Sequence, residues 1–190
     1  MKGYSNELYI LAFDHRGTLT KGLLGVEGRE PSEEEASRVS SMKDIIFDGF
    51  LQAKDSGIRG GDPAILVDEK FGIQVQEKAK EMGIKFAAPA EKSGQKVFDF
   101  EYGDNFGKKI EEVGADFVKI LVRWNPNDSS ETRQVQGERI KTLSDWLDEN
   151  DKKFLLEFLV PATDEQLASV GGDQGRYDSE IRPRLAVQVV

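Results

Sequence analysis

The sequence predicts an α/β fold with a parallel sheet, of the (β/α)8-barrel type. Five short apolar runs alternate with segments whose apolar residues recur at helical spacing, as in successive βαβ units. Charged residues follow the ends of these runs, where barrels and doubly wound sheets place their chemistry. The chain has 190 residues, whereas a complete barrel typically needs about 250. We therefore expect residues 1–190 to be the N-terminal portion of a single barrel domain, with about five β/α units.

The run over residues 115–124 is the clearest strand. It is mostly apolar and rich in β-branched residues, as expected of a strand that is buried on both faces of an α/β sheet. Side-chain alternation gives it one wholly apolar side and one side that carries Lys119 and Arg123. An ammonium in the middle of a buried strand is costly unless it is paired or functional. Lys119 is therefore the first candidate functional residue.

The other elements are predicted from the same patterns. Strands are expected over residues 8–13, 64–67, 84–89 and 154–160, and the third of these is weakened by its proline. Helices are expected from Pro31 to Gly57 and over 73–82, 104–113 and 131–149. A further helical stripe begins at Ile181.

Composition narrows the range of functions. A net charge of −9 argues against nucleic acid as a partner, because phosphate binding needs a basic surface. No apolar run has the length of a membrane span, and the N-terminus does not resemble a signal peptide. The absence of cysteine favours the cytoplasm. The single histidine, His15, cannot supply a zinc site with two or three His ligands, so we expect neither a metal nor a cofactor.

A second charged residue, Glu157, lies in the middle of the fifth predicted strand. Its alternation with Leu155 and Leu159 places it on the same interior as Lys119, so we expect the two charges within about 6 Å of each other. Asp14 follows the first strand and should lie at the C-terminal rim of that interior. These three residues are the candidate catalytic groups. The alternatives are a buried structural ion pair for Lys119 and Glu157, and a turn or helix cap for Asp14.

Further charged residues follow the strand ends and are candidate substrate-binding groups: His15, Arg16, Asp68, Glu91 and Arg123. A surface salt bridge is the alternative for His15 and Arg16, a helix cap for Asp68, and a plain loop position for Glu91. Burial and the cation at Arg123 are both expected to lower the pKa of Lys119, which favours the free amine that a nucleophile needs.

Several segments together resemble class I aldolase barrels related to tagatose bisphosphate aldolase. They are Leu-Ala-Phe-Asp-His-Arg-Gly over 11–17, Leu-Val-Asp-Glu-Lys-Phe-Gly over 66–72, the central strand over 118–126, and residues 155–163 and 171–178. The chain resembles in particular the barrel domain fused to 5-dehydro-2-deoxygluconokinase of inositol catabolism. The segments occur in the right order and cover nearly the whole chain.

The resemblance implies a phosphorylated keto-sugar as substrate and a sugar kinase as partner or fusion. In such aldolases a lysine forms a Schiff base with the ketose phosphate, and a nearby acid moves protons. The resemblance places Asp14, Lys119 and Glu157 in the site. It places the Schiff-base lysine on the strand after Glu157, and the phosphate-binding loops later still. Residues 1–190 are therefore expected to hold part of the site without that lysine.

Other interpretations remain open. The chain would also suit a non-catalytic or regulatory module associated with a sugar kinase. Residues 13–20 resemble the Asp-x-Asp-Gly-Thr-Leu signature of haloacid-dehalogenase phosphatases, but Arg16 stands where that signature has its second aspartate, the general acid. Finally, an incomplete barrel leaves open strand edges and an exposed apolar lining, so we expect a homo-oligomer.

Overall fold

A computed structural model describes residues 3–57 and 61–189. The strands are β1 (Leu8–Ala12), β2 (Asp62–Leu66), β3 (Lys85–Pro89), β4 (Phe117–Arg123) and β5 (Lys153–Leu159). The helices are α1 (Gly17–Leu24), α2 (Glu33–Asp55), α3 (Glu69–Glu81), α4 (Phe106–Val113), α5 (Ser130–Glu149), α6 (Asp164–Ser169), α7 (Gln174–Arg176) and α8 (Arg182–Val189). A 3₁₀ turn (Gly103–Asn105) precedes α4, and a π turn (Tyr177–Ile181) precedes α8.

The five strands form one parallel sheet in the order β1-β2-β3-β4-β5. All four neighbouring pairs are parallel, and β4 pairs with β5 over seven residues, from Phe117 opposite Lys153 to Arg123 opposite Leu159. The sheet curls into a half-barrel, which confirms the α/β class and agrees with an incomplete barrel. The strand order never reverses, so the sheet has no switch point of the kind that defines a doubly wound fold.

The two faces of the sheet have different surroundings. On the convex face, apolar side chains of β2 and β3 such as Ile65 and Phe86 pack against α2 and α3, and Val118 and Ile120 of β4 pack against α5. On the concave face, a smaller apolar layer around Phe117 closes the floor. This division confirms the predicted alternation in β4, because Lys119 lies on the concave face.

The predicted elements are present, with shifted ends. Helix α1 was not predicted, because its eight residues follow the charged end of β1 and carry little apolar periodicity. It ends at Gly25, whose positive φ of 66° forms the C-cap. The expected helical stripe at Ile181 is confirmed by the π turn and α8. These pack with α6 around Tyr177, which donates a hydrogen bond of 2.9 Å to the carbonyl of Val160.

Helix α2 begins with a capping box. Ser32 Oγ accepts from the N–H of Glu35, and the carboxylate of Glu35 accepts from the N–H of Ser32. Arg29 also pairs with Glu35 at 2.7 Å. Hydrogen bonds from Arg29 and from the Ser32 N–H lower the pKa of Glu35 to about 2. Because this pKa is lowered, the Glu35 carboxylate stabilises the fold above the usual glutamate pKa, and this contribution is lost as the pH falls towards 2.

Replacing Ser32 with alanine should therefore lower the free energy of unfolding by about 1 kcal/mol, the usual cost of losing an N-cap. Urea unfolding followed by circular dichroism measures this change. Ser41→Ala is the matched control, because Ser41 lies on the same helix and its hydroxyl donates to the Ser37 carbonyl instead of capping the helix. Equal effects of the two substitutions would contradict the assigned cap.

Strand β1 lies at one edge of the sheet and exposes apolar side chains on its convex side. Tyr9 and Leu11 are 45% and 41% exposed. The other edge, β5, exposes Leu159 to 40%. Apolar residues on an unpaired strand edge favour association.

No helix in the described residues is long and apolar enough to cross a membrane.

We accordingly expect dimers or larger assemblies in light scattering. Leu11→Glu should shift the assemblies towards monomer, because the added carboxylate opposes burial of the β1 edge. Leu23→Glu, at a residue exposed to 50% on α1, is the control and should leave the mass unchanged. A cooperative, monodisperse monomer of the natural chain would contradict this expectation.

Candidate functional site

The ammonium of Lys119 lies at the centre of a cluster of acids. Its Nζ atom is 2.9 Å from Asp14 Oδ2, 3.0 Å from Glu157 Oε2 and 3.3 Å from Glu91 Oε1. Lys119 is only 2% exposed. The predicted contact between Lys119 and Glu157 is therefore confirmed, with Asp14 beside them. Each of the three acids offers a carboxyl oxygen to one buried cation, and such partners are the condition for burying the cation at all.

Separate strands supply the members of this cluster. Asp14 follows β1, Glu91 follows β3, Lys119 lies in the middle of β4, and Glu157 lies in β5 opposite Leu121. Side chains two residues apart share a face of a strand, so all four continue the concave side of their strands. Only a curled sheet can bring the ends of β1 and β5 to one lysine.

The acids reverse the pKa shift that the sequence suggested for Lys119. Burial lowers the pKa of Lys119, but the charges of Glu91 and Asp14 and hydrogen bonds to Asp14 and Glu157 outweigh it, and the pKa is raised. The expected net lowering of the Lys119 pKa is therefore wrong. The guanidinium of Arg123 instead donates to the carbonyl of Gln95 at 2.6 Å. Lys119 is thus held as an ammonium at neutral pH.

Glu91 connects Lys119 to Arg16. Arg16 reaches Glu91 Oε1 at 3.0 Å, donates twice to the Glu91 backbone carbonyl at 3.1 Å, and contacts Glu101 at 3.4 Å. The other carboxylate oxygen of Glu91 is buried and has no hydrogen-bond partner among the described residues. Burial raises the pKa of Glu91 despite the opposing charges of Lys119 and Arg16. Arg16 therefore acts as a cation at the position where the phosphatase signature has an acid, which argues against that alternative.

The cluster lies in a cleft of about 630 Å³ on the concave side of the sheet. We call this the Lys119 cleft. It is lined by the three acids of the cluster and by a group of cations, Arg16, Lys21, Arg29, Lys92 and Arg123. Within the cluster, Glu157 is the most accessible acid, since its side chain is 47% exposed against 16% for Asp14 and 9% for Glu91. The cleft combines an acid that solvent can reach with cations suited to an anionic ligand.

Two candidate binding residues differ in placement. His15 is exposed and lines the Lys119 cleft, as expected. Asp68 is 1% exposed and is not among the residues that line this cleft. It accepts from the N–H of Phe71 at 2.9 Å as the N-cap of α3, and its other oxygen pairs with Lys43. The structure thus gives Asp68 the helix-cap position that was its alternative, because the chain turns directly after β2.

Sequence reasoning missed three residues near the cleft. Lys43 was missed although it lies four residues from both Val39 and Phe47, on the buried stripe of α2. Glu101 lies in a loop without any pattern. Gln136 is fully buried and fixes two segments through its amide, accepting from the N–H of Phe98 at 2.8 Å and donating to the carbonyl of Arg123 at 2.9 Å. A polar residue on an apolar helical stripe is the signal that would have found Lys43 and Gln136.

Comparison with known families identifies the family of this chain. The family model described as "Uncharacterized protein conserved in bacteria (DUF2090)" matches residues 1–174. The chain belongs to this family. No group of three or more His, Asp or Glu side chains in residues 3–57 and 61–189 is arranged to hold a metal ion.

Curated relatives of this chain are named as aldolases. The chain is 25% identical over 186 residues to tagatose 1,6-diphosphate aldolase of Lactococcus lactis, and the match covers 95% of this chain and 52% of that protein. It is 24% identical over 185 residues to tagatose 1,6-diphosphate aldolase 2 of Streptococcus agalactiae, with the same coverage. It is 26% identical over 167 residues to the Streptococcus pneumoniae aldolase, covering 85% and 47%. The chain spans about half the length of these relatives. They support the aldolase-like resemblance, while the link to a sugar kinase stays a prediction.

The acids around Lys119 predict how its titration responds to substitution. Asp14→Asn should lower the pKa of Lys119, because one of the charges that raise it is removed while burial remains. Heteronuclear NMR of the lysine side chain, followed from neutral to alkaline pH, measures this. Glu101→Gln is the control, because Glu101 contacts Arg16 and its substitution should leave Lys119 unchanged.

The same raised pKa sets the direction of its effect on stability. The contribution of Lys119 is fully present below the usual lysine pKa and is lost as the pH rises through the raised value in the folded protein. Asp14→Asn should therefore lower the free energy of unfolding more at neutral pH than at alkaline pH, where Lys119 has lost its proton. An unchanged Lys119 titration in Asp14→Asn would contradict the assigned cluster.

Proposed function

We propose that this protein takes part in an aldolase-type reaction, the cleavage or formation of a carbon–carbon bond in a phosphorylated keto-sugar, through a lysine Schiff base. The observation that carries the proposal is the Lys119 ammonium enclosed by three acids in an open cleft at the C-terminal end of a parallel sheet. The names of the curated relatives support the substrate class. Residues 1–190 then form the N-terminal portion of a single barrel domain.

The residues of the cleft suit separate roles in this reaction. Carbon–carbon cleavage requires a base that takes the proton of a substrate hydroxyl while the Schiff base accepts the electrons of the breaking bond. Glu157 is the best placed base, since its carboxylate contacts Lys119 at 3.0 Å and remains half exposed. Asp14 is the second acid. Arg16, Arg123 and the exposed His15 line the same cleft and are suited to a phosphate or to sugar hydroxyls.

Lys119 itself serves the reaction as a charge. A nucleophilic lysine must lose its proton, but the surrounding acids raise the pKa of Lys119 and hold it as an ammonium. Fixed in a buried site, that ammonium can orient Glu157 and stabilise negative charge that develops on a substrate oxygen. The Schiff-base lysine is then another residue, on the strand that follows Glu157 in the aldolase architecture.

Isothermal calorimetry with tagatose 1,6-bisphosphate tests the binding part of the proposal. The 190-residue chain should bind the ligand, and Lys119→Met should weaken binding about tenfold or more, as expected when a charged hydrogen bond is lost. Lys108→Met is the matched control, because Lys108 is exposed on α4 and pairs only weakly, at 3.8 Å, with Glu112. Equal affinities of the two variants would remove Lys119 from the site.

Borohydride reduction tests the covalent part, because it converts a Schiff base into a stable secondary amine that mass spectrometry locates. We expect no adduct on Lys119 of the 190-residue chain. After co-expression with the C-terminal half of the Lactococcus relative, an adduct should form on a lysine of that half, and Lys119→Met should slow its formation.

Each other outcome has a defined meaning. An efficient adduct on Lys119 would overturn the role given to that residue. Binding without any adduct in either preparation would favour the non-catalytic module, as would an absence of binding. The inositol-derived substrate, the cytoplasmic location and the sugar-kinase partner expected from the sequence stay predictions.

A further inference from the structure

A second buried lysine lies behind the site. Lys43, in the middle of α2, is fully buried. Its ammonium donates to the backbone carbonyl of Phe13 at 2.7 Å and to that of His15 at 3.0 Å, and it pairs with Asp68. An ammonium has three N–H donors, and here each has one acceptor.

The two carbonyls belong to the residues on either side of Asp14. The Phe13 carbonyl belongs to the peptide that precedes Asp14, and the His15 carbonyl belongs to the peptide that follows His15. The two hydrogen bonds therefore hold both ends of the Asp14–His15 segment. That backbone determines where the Asp14 carboxylate lies, 2.9 Å from the ammonium of Lys119. Lys43 is on the helix side of the sheet, and Asp14 continues the concave side. The contact therefore passes through the β1–α1 connection (residues 13–16).

We propose that Lys43 is a positioning residue, which holds the Phe13 and His15 carbonyls so that the Asp14 carboxylate meets Lys119. The inference rests on the proposed function only in treating Asp14 and Lys119 as site residues. Lys43 is not among the residues that line the Lys119 cleft. Its effect on the site reaches Lys119 through Asp14.

A purely structural role would consist of joining α2 to α3, and other contacts already do so. Asp44, the neighbour of Lys43, pairs with Lys78 of α3 at 2.7 Å on the surface. Gly72 allows α3 to approach Val67, the residue after β2, and the stem of Lys43 on α2, since a Cβ there would lie 2.3 Å from Val67 Cγ2 and 3.6 Å from Lys43 Cδ. What only Lys43 adds among these contacts is the pair of hydrogen bonds around Asp14.

The test needs a variant that folds. Lys43→Met alone leaves the Asp68 carboxylate buried without a cation, which is strongly destabilising. The double substitution Lys43→Met with Asp68→Asn removes both charges, and the asparagine oxygen can still accept from the N–H of Phe71. Asp68→Asn alone keeps Lys43 on the two carbonyls but leaves its buried ammonium without a carboxylate, so this variant is compared where it folds. Lys78→Met is the matched control for a lysine–aspartate pair between the same helices.

The first measurement is the side-chain titration of Lys119 by NMR in each folded variant. In the double variant the pKa of Lys119 should fall towards its value in Asp14→Asn, because Asp14 is no longer held against it. Asp68→Asn and Lys78→Met should both titrate like the natural chain. An unchanged Lys119 titration in the double variant would overturn the proposal, as would an equal shift in Asp68→Asn.

The second measurement is the affinity for tagatose 1,6-bisphosphate, treated as a mutant cycle. The double variant should lose affinity by the same factor as Asp14→Asn. The triple variant, which adds Asp14→Asn to the double variant, should show no further loss. If the losses of affinity in the double variant and in Asp14→Asn multiply when the substitutions are combined, the two act independently and the positioning role is overturned. If the natural chain does not bind the ligand at all, the proposed function fails, whereas the Lys119 titration still decides the role of Lys43.

Discussion

The ammonium of Lys119 depends on acids that come from three different parts of the sheet. A lysine with its side chain 3% exposed is tolerated only with charged partners, and here they follow β1, follow β3 and lie within β5. A flat sheet would keep the ends of β1 and β5 roughly four strand spacings apart, on the order of 19 Å. Satisfying this one cation therefore requires the curvature of the half-barrel, so the electrostatics of the cleft and the shape of the sheet depend on each other.

Two buried lysines, Lys119 and Lys43, bind different groups of the connection that follows β1. Lys119 faces the cleft and is bound by side-chain carboxylates, whereas Lys43 lies on α2 behind the sheet and is bound by two backbone carbonyls and by Asp68. The short β1–α1 connection lies between them, so its backbone and its carboxylate are each fixed by a separate cation. Such a support explains how a carboxylate in a loop can keep a defined position, which catalytic and binding sites require.

Local patterns predicted the parts of the site that depend on one strand at a time. Alternation in β4 and β5 was enough to place Lys119 and Glu157 on one interior, and the charges at strand ends indicated Asp14 and Glu91. The sequence offered the helix cap of Asp68 as an alternative, but the pairing of Asp68 with Lys43 was not predictable, because the two residues are 25 positions apart. The pKa of Lys119 was predicted in the wrong direction for a similar reason. Its sign is a sum over burial and several acids, and the sequence showed the burial but not the number of acids within reach.

The raised pKa of Lys119 and the family resemblance lead to the same assignment by independent routes. The resemblance places the Schiff-base lysine on a later strand because of segment order alone. The structure disfavours Lys119 as that nucleophile because its proton is held by acids, a reason in which segment order has no part. In the proposed reaction the same acids would hold the ammonium in place beside an anionic sugar. A fixed cation can stabilise negative charge that develops beside it without reorganisation. Under the proposed function, residues 1–190 bind and polarise the substrate, and the covalent step belongs to a different lysine.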